Sequence, residues 1–224
     1  MRPHLGRLCR WLVPALAAGV GIALMASPAA AACKLNPLEV LRQQAEGGIP
    51  VKSASNAMFP DMPNGANGFA KLLPPNTLPN RGEVIAFCTD AEPDTLYLKR
   101  VVGLPGDFVM MRADDFWLNG GPVMKLPEGT ATLDGISLNC YRETLAAYSY
   151  RVCQSDPPGP FADTQEWVVP QGKIFVLGDN RDSSLDSRMP SMGFVPAENI
   201  VGHLVPSVMQ FTGARPAQTT PPSP

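Results

Sequence analysis

The chain has 224 residues, of which 45% are apolar and 17% charged, with a formal net charge of −2. That length can bury one good core and a small second lobe. No stretch carries the clustered Lys and Arg that a nucleic-acid partner requires, so nucleic-acid binding is not expected.

In chain order, Arg2, Arg7 and Arg10 precede an uncharged run of 22 residues, 11–32. A basic start followed by an apolar centre reads as an export signal. The alanines up to Ala32 supply a small-residue cleavage site, and the same run is long enough to stay in a bilayer as a helical anchor. Under both readings the arginines remain inside and everything from Cys33 onward lies outside, in the periplasm or on the outer side of the cytoplasmic membrane. Residues 1–32 hold three of the 18 basic residues and none of the 20 acidic ones, so the exported part carries about five net negative charges.

Residues 33–50 read as a linker or short helix, with Leu35, Leu38, Val40 and Leu41 at loose helical spacing before Gly47-Gly48. Residues 51–80 hold five prolines and are expected to be loop-dominated. Short strand signals follow at 84–88, 96–102, 108–112, 116–118, 137–143, 148–154, 167–169, 174–177 and 200–205. Many short strands broken by Gly, Pro and Asp turns predict an all-β barrel or sandwich. Residues 51–211 form the main domain, with a small hairpin lobe at about 113–170, and 212–224 read as a disordered proline-rich tail.

One strand stands out. In 96–102 a period of two puts Tyr97, Lys99 and Val101 on one face, so an amine is held between an aromatic and a β-branched side chain. Desolvation there lowers its pKa, and a neutral amine can serve as a general base. The plain alternative is a packed stem with its head in water. His203 is the single exported histidine; it has no serine motif beside it and reads as a strand histidine at a sheet edge.

Four of the five cysteines, Cys33, Cys88, Cys140 and Cys153, fall in the exported part, where disulfides persist. Their spacing fits no metal motif, and no cofactor is expected. In the hairpin around Ala146-Ala147, a regular register that pairs Cys140 with Cys153 also pairs Arg142 with Arg151 and Thr144 with Ser149. The two thiols then face each other at a disulfide distance, although facing arginines oppose that register. Cys33 has two readings, a lipid-modified cysteine and a partner of Cys88.

The run Leu96-Tyr97-Leu98-Lys99-Arg100-Val101-Val102-Gly103-Leu104-Pro105-Gly106-Asp107 and the run Gly178-Asp179-Asn180-Arg181-Asp182-Ser183-Ser184-Leu185-Asp186-Ser187-Arg188 together resemble the type I signal peptidase family, peptidase family S26. These are serine proteases with a serine and lysine dyad. The resemblance covers roughly residues 47–210. It implies a signal-peptidase-like β core behind one N-terminal apolar helix. It makes Lys99 the general base and Ser184 the residue orienting its amine, with Asp186 and Arg188 as an ion pair in a loop also fixed by Asp179 and Arg181. Ser55 falls on the position that stabilises the oxyanion, and Met58, Tyr97 and Leu98 on positions lining the substrate pockets. The implied partners are exported preproteins, bound as extended strands and cut at small-residue Ala-x-Ala sites, with the membrane reached through the N-terminal segment.

One departure is decisive. The family nucleophile lies in a Ser-Met-x-Pro motif, and the matching segment here is Ala57-Met58-Phe59-Pro60, followed by Asp61-Met62 in place of Thr-Leu. A methyl group cannot attack a carbonyl. Three readings follow: a knockout substitution, a shift of the nucleophile to Ser55 or Ser53, and a pseudopeptidase that binds peptides without cutting them.

Overall fold

The computed structural model describes residues 33–74 and 77–205. The expected apolar helix within 1–32 and the tail at 212–224 lie outside the described residues. Among the described residues no helix is long and apolar enough to cross a membrane.

Helix α1 (Pro37–Ala45) starts where Asn36 accepts hydrogen bonds from the N–H groups of Leu38 and Glu39 through its side chain, with Pro37 in the first turn. It stops ahead of Gly47 and Gly48, both at positive φ (119° and 138°). Behind it, Val40, Ile49 and Val201 pack around a disulfide between Cys33 and Cys88, whose Cα atoms are 5.4 Å apart. This covalent tie holds the start of the described chain against the main sheet.

The strands are β1 (Ile49–Lys52), β2 (Asn67–Lys71), β3 (Val84–Phe87), β4 (Tyr97–Gly103), β5 (Phe108–Arg112), β6 (Asp115–Leu118) and β7 (Gly121–Pro122), then β8 (Met124–Leu133), β9 (Ile136–Leu145) and β10 (Tyr148–Gln154), and finally β11 (Trp167–Val168), β12 (Lys173–Leu177), β13 (Val195–Pro196) and β14 (Ile200–Leu204). They form three antiparallel sheets. Seven strands run in the order β1-β2-β14-β3-β4-β12-β13, three in the order β10-β9-β8 and four in the order β11-β5-β6-β7. The all-β expectation therefore holds, with one short helix in front.

β3 shows why the central strands read as unbroken apolar runs. Val84 and Ala86 enter one cluster with Met58, Met62, Leu98 and Leu204, while Ile85 and Phe87 enter another with Val101, Ile174 and Val176. A strand buried on both faces has no polar alternation. A third cluster, containing Val102, Val109, Phe116, Tyr150, Val152, Phe175 and Leu177, joins the smaller sheets to the large one.

Residues 51–80 are mostly loop, as expected, with one strand set in them: β2 pairs with β1 and with β14, which buries Ala70 completely. The Asn67-Gly68 start gives poor local strand preference, and pairing on both edges overrides it. His203 is not at a sheet edge, because β14 lies between β2 and β3; its ring stands 3.4 Å from Glu83. The ten-residue β8 gave no strand signal at all, since Pro127 and Gly129 interrupt its pattern. It forms because β9 offers a long edge, and the ladder slips between Pro127 and Gly129.

The β9–β10 hairpin follows the arithmetic of its sequence: Cys140 opposes Cys153, Arg142 opposes Arg151 and Thr144 opposes Ser149. The Cys140 and Cys153 sulfurs are bonded, with Cα atoms 4.1 Å apart. The two facing arginines are each neutralised elsewhere, Arg142 by Glu128 and Arg151 by Asp61 at 2.6 Å.

Candidate active site

β4 places Lys99 beside Ile85 of β3, deep in the large sheet, where it is only 4% exposed. Its Nζ donates to the Leu98 carbonyl at 3.0 Å. Burial lowers its pKa to about 8, while the carboxylates of Asp186 and Asp179 pull in the opposite direction. The snorkelling alternative does not apply, because the amine itself is withdrawn from solvent.

The next residue, Arg100, points to the other face. It donates to Asp179 (Nε to Oδ1, 2.7 Å) and to the Gly82 carbonyl at 2.7 Å. The remaining charged residues of the 178–188 loop have separate partners. Arg181, fully buried, donates to both carboxylate oxygens of Glu143 on β9, one of them at 2.7 Å. Asp186 accepts from Arg188 Nε at 2.9 Å and from the Gly178 N–H at 3.1 Å. Each of these buried charges of the loop is thus paired and hydrogen-bonded, which is the condition for keeping it out of water.

The loop is also fastened to the segment that carries Ala57. Asn180 donates its N–H to the Ala57 carbonyl at 3.1 Å and its side-chain amide to the Asn56 carbonyl at 3.2 Å. A Cβ on Gly178 would lie 2.1 Å from Ser184 Oγ and 2.6 Å from the Ala57 carbonyl oxygen, so this close approach requires glycine. On the other side, the loop pairs with the disulfide-bonded Cys153: Cys153 N–H to the Asp179 carbonyl and Arg181 N–H to the Cys153 carbonyl, each at 2.9 Å.

Ser55 and Ala57 form one turn, with the Ala57 N–H donating to Ser55 Oγ at 3.3 Å. Ser53 Oγ donates to the Ser55 carbonyl at 2.8 Å. Met58 is buried in the sheet cluster. The hydrogen bond expected between Ser184 and Lys99 is not formed. Ser184 Oγ is buried and unpartnered among the described residues, and Lys99 turns to its neighbouring carbonyl.

Lys99, Ser55, Met58, Tyr97 and Leu98 line a cleft of about 190 Å³ between residues 52–55 and the start of β4. There β4 pairs on one side only: β12 meets it from Arg100 onward, while Tyr97, Leu98 and Lys99 pair with β3 alone. A free strand edge above a small cleft is the arrangement that takes an extended peptide. Tyr97 at the rim donates its hydroxyl to Glu92, which raises its pKa to about 12. A larger cleft of about 590 Å³ opens on the Arg100 side of β4, but the charged groups of its wall are mostly satisfied: Arg100 by Asp179, Asp61 by Arg151, and Glu83 by Asn80 and Tyr148. Among the described residues no group of His, Cys, Asp or Glu is placed to hold a metal.

A family model described as signal peptidase, peptidase S26, matches residues 47–209, a span that contains both the lysine strand and the loop packed against it. The chain belongs to the S26 signal peptidases. It is 37% identical over 134 residues to the signal peptidase I of Rickettsia akari (strain Hartford), covering 55% of this chain and 49% of that protein. It is 38% identical over 133 residues to the signal peptidase I of Pseudomonas fluorescens, covering 55% and 47%. The chain thus spans about half the length of the curated relatives it matches. A solved signal peptidase I from Enterococcus faecalis V583 aligns with 28% identity and a TM-score of 0.36, covering 58% of this chain and 98% of that one.

Three residues of this S26 site were not legible in advance. Arg100 and Glu143 anchor the 178–188 loop, and Asp61, a departure from the family motif, ties the Ala57 segment to Arg151 on β10 at 2.8 Å. Glu143 had a signal: the hairpin arithmetic places it opposite Tyr150, and a carboxylate on the inner face of a hairpin requires a buried cation.

Proposed function

We propose that this chain is a signal-peptidase-type serine endopeptidase of the exported compartment. In this reading it takes the end of the signal segment of an exported precursor as an extended strand along Tyr97, Leu98 and Lys99, and cuts after small-residue sites. The observation that carries this reading is the buried Lys99, of lowered pKa, opening into the same cleft as the Ser55 hydroxyl. Ser55 Oγ is then the nucleophile. Neutral Lys99 takes its proton, and the tetrahedral oxyanion is stabilised by the Ala57 N–H. Asp179, Arg181, Asp186 and Arg188 hold the 178–188 loop, which is fastened to the Ala57 turn through Asn180. Residues 1–32 deliver the domain, 51–211, to the outer side of the membrane as signal or anchor.

A second reading is favoured by one observation, the methyl of Ala57 at the family nucleophile position. Under it the same groove holds peptides without cutting them. Cleavage of an exported precursor with an Ala-x-Ala site separates the two, using the chain itself, Ser55→Ala, Lys99→Ala and Ala57→Ser. The endopeptidase reading expects the chain to cut and both alanine variants to be silent. Cleavage by Ala57→Ser alone overturns Ser55 as nucleophile and leaves an intact groove in a chain that is either a knockout or a disarmed binder, and silence from all four overturns the endopeptidase reading. Because the base must be neutral, the cleavage rate should rise with pH and level off above about 8.

A further inference from the structure

Met58 joins the cluster of the large sheet, but the next residue does not. Phe59, 4% exposed, packs with Ala131, Leu138, Cys140 and Cys153 of the β8–β9–β10 lobe, around the Cys140–Cys153 disulfide. Two residues before Cys153, Arg151 holds Asp61 through Nε and a second guanidinium nitrogen at 2.8 and 2.6 Å. The 178–188 loop meets the same disulfide through backbone. The Cys153 N–H donates to the Asp179 carbonyl, and the Cys153 carbonyl accepts from the Arg181 N–H. Asn180, between them, donates to the Ala57 and Asn56 carbonyls. Both segments of the candidate site, the Ser55–Ala57 turn and the loop, are thus seated on one covalent pair that belongs to neither.

The other disulfide gives the contrast. Cys33 and Cys88 pack with Val40, Ile49 and Val201 behind α1, and Ser55, Ala57, Phe59 and Asn180 are not in that cluster. Two separate thiols need more room than a bonded pair, and in a close-packed lobe that room comes from what is packed against them. Opening Cys140–Cys153 therefore shifts the Phe59 seat and the Cys153 backbone together. We propose that closing Cys140–Cys153 is the step that assembles the site, so that the chain gains its working geometry only in an oxidising compartment. Phe59 and Cys153 are then positioning residues, acting through the Ala57 turn and the 178–188 loop.

The step converts two thiols to one disulfide. Two protons leave, and two electrons pass to a disulfide oxidant, either a small molecule such as glutathione disulfide or an exported dithiol oxidoreductase. Closure is not readily reversed, because Cys140 and Cys153 are 2% and 0% exposed and a reductant has no access to them in the folded lobe. The bond thus acts as a maturation step tied to export. The link to export rests on the reading above, whereas the seating of the two segments does not.

The test follows backbone hydrogen exchange in the full chain in mild detergent, well below the melting temperature of each variant. The amides to watch are those of Phe59, Met62, Asn180 and Arg181, which donate to the Asn56, Met58, Ala57 and Cys153 carbonyls. In Cys140→Ser/Cys153→Ser they should exchange about tenfold faster, while the amides of β3 keep their rates. Cys33→Ser/Cys88→Ser should leave them unchanged, although it opens the longer loop and loses more global stability. Isolated reduced, this second variant should show the loosened pattern and regain protection when glutathione disulfide closes Cys140–Cys153. Phe59→Ala, with both disulfides intact, should loosen the same amides and Phe59→Leu should restore most of their protection; these two variants carry the test if Cys140→Ser/Cys153→Ser does not fold. Unchanged exchange in Cys140→Ser/Cys153→Ser, equal loosening in the two double variants, or full protection in Phe59→Ala overturns the proposal. Precursor cleavage, read in parallel, should fall about 100-fold in Cys140→Ser/Cys153→Ser, as a misplacement of about 1 Å can cost, and stay within about twofold in Cys33→Ser/Cys88→Ser. A parent chain that cuts nothing overturns the endopeptidase reading alone, because the exchange pattern tests the seating without it.

Discussion

Glu143 and Arg181 hold the candidate site together from outside it, and breaking them is the sharpest test of how the site is built. Both side chains are essentially without solvent contact, at 1% and 0% exposure. Glu143→Leu leaves the Arg181 guanidinium with only the Gly178 carbonyl, 3.2 Å from Nε, and takes the acceptor from the Tyr150 hydroxyl. Removing one member of a buried pair costs about 3–5 kcal/mol because the other charge stays buried and unpaired. For a domain of this size each kcal/mol moves Tm by about 2–4 °C, so a drop of about 6–20 °C is expected. Arg181→Met should cost a comparable amount. The double variant Glu143→Leu/Arg181→Met replaces the pair with apolar side chains, so its loss should be no greater than that of either single variant. Thermal and urea unfolding followed by circular dichroism, with the Cys140–Cys153 bond kept oxidised, measures the cycle. Single losses below about 1 kcal/mol, or a double loss equal to the sum of the singles, would refute the claim that this pair anchors the loop.

Lys99 should oppose folding at neutral pH. Its folded pKa of about 8 lies below the ordinary lysine value, so between about pH 8 and 10.5 the unfolded chain binds more protons than the folded one. Stability should therefore rise with pH across that window, and Lys99→Met should raise stability at pH 7 by about 1–3 kcal/mol while abolishing cleavage. A melting temperature that falls in Lys99→Met contradicts this. Gly178→Ala should cost far more activity than its small change in volume suggests, because its methyl meets the Ala57 carbonyl, which is backbone and cannot swing away; wild-type turnover in a precursor-cleavage assay, or unchanged peptide affinity, would show that the contact is not needed. Opening the disulfides should destabilise by about 3 kcal/mol for Cys140→Ser/Cys153→Ser and about 4 kcal/mol for Cys33→Ser/Cys88→Ser, the longer loop losing more. Urea midpoints of the two double variants check the order, and a larger loss from the shorter loop would contradict the chain-entropy account.

The sequence by itself determined the class of fold, the strand that carries Lys99 and the register of the β9–β10 hairpin. Each rests on a pattern local enough to be read: alternation, turn residues and the fixed pairing of a two-residue turn. It also determined the chemical problem, a lysine on a buried strand together with an alanine where a nucleophile is expected. Tertiary structure alone decided where the charges went. Asp179 pairs with Arg100, which is 79 positions away, and Arg181 with Glu143, which is 38 away; a local pattern does not encode such partners. It likewise decided that β8 is a strand, since Pro127 and Gly129 spoil its pattern and only the waiting edge of β9 supplies its hydrogen bonds. The bond expected between Ser184 and Lys99 failed for the same reason. The two residues come from different elements, and the geometry between those elements is fixed by packing around Gly178 and Ala57, which no spacing within either motif could specify.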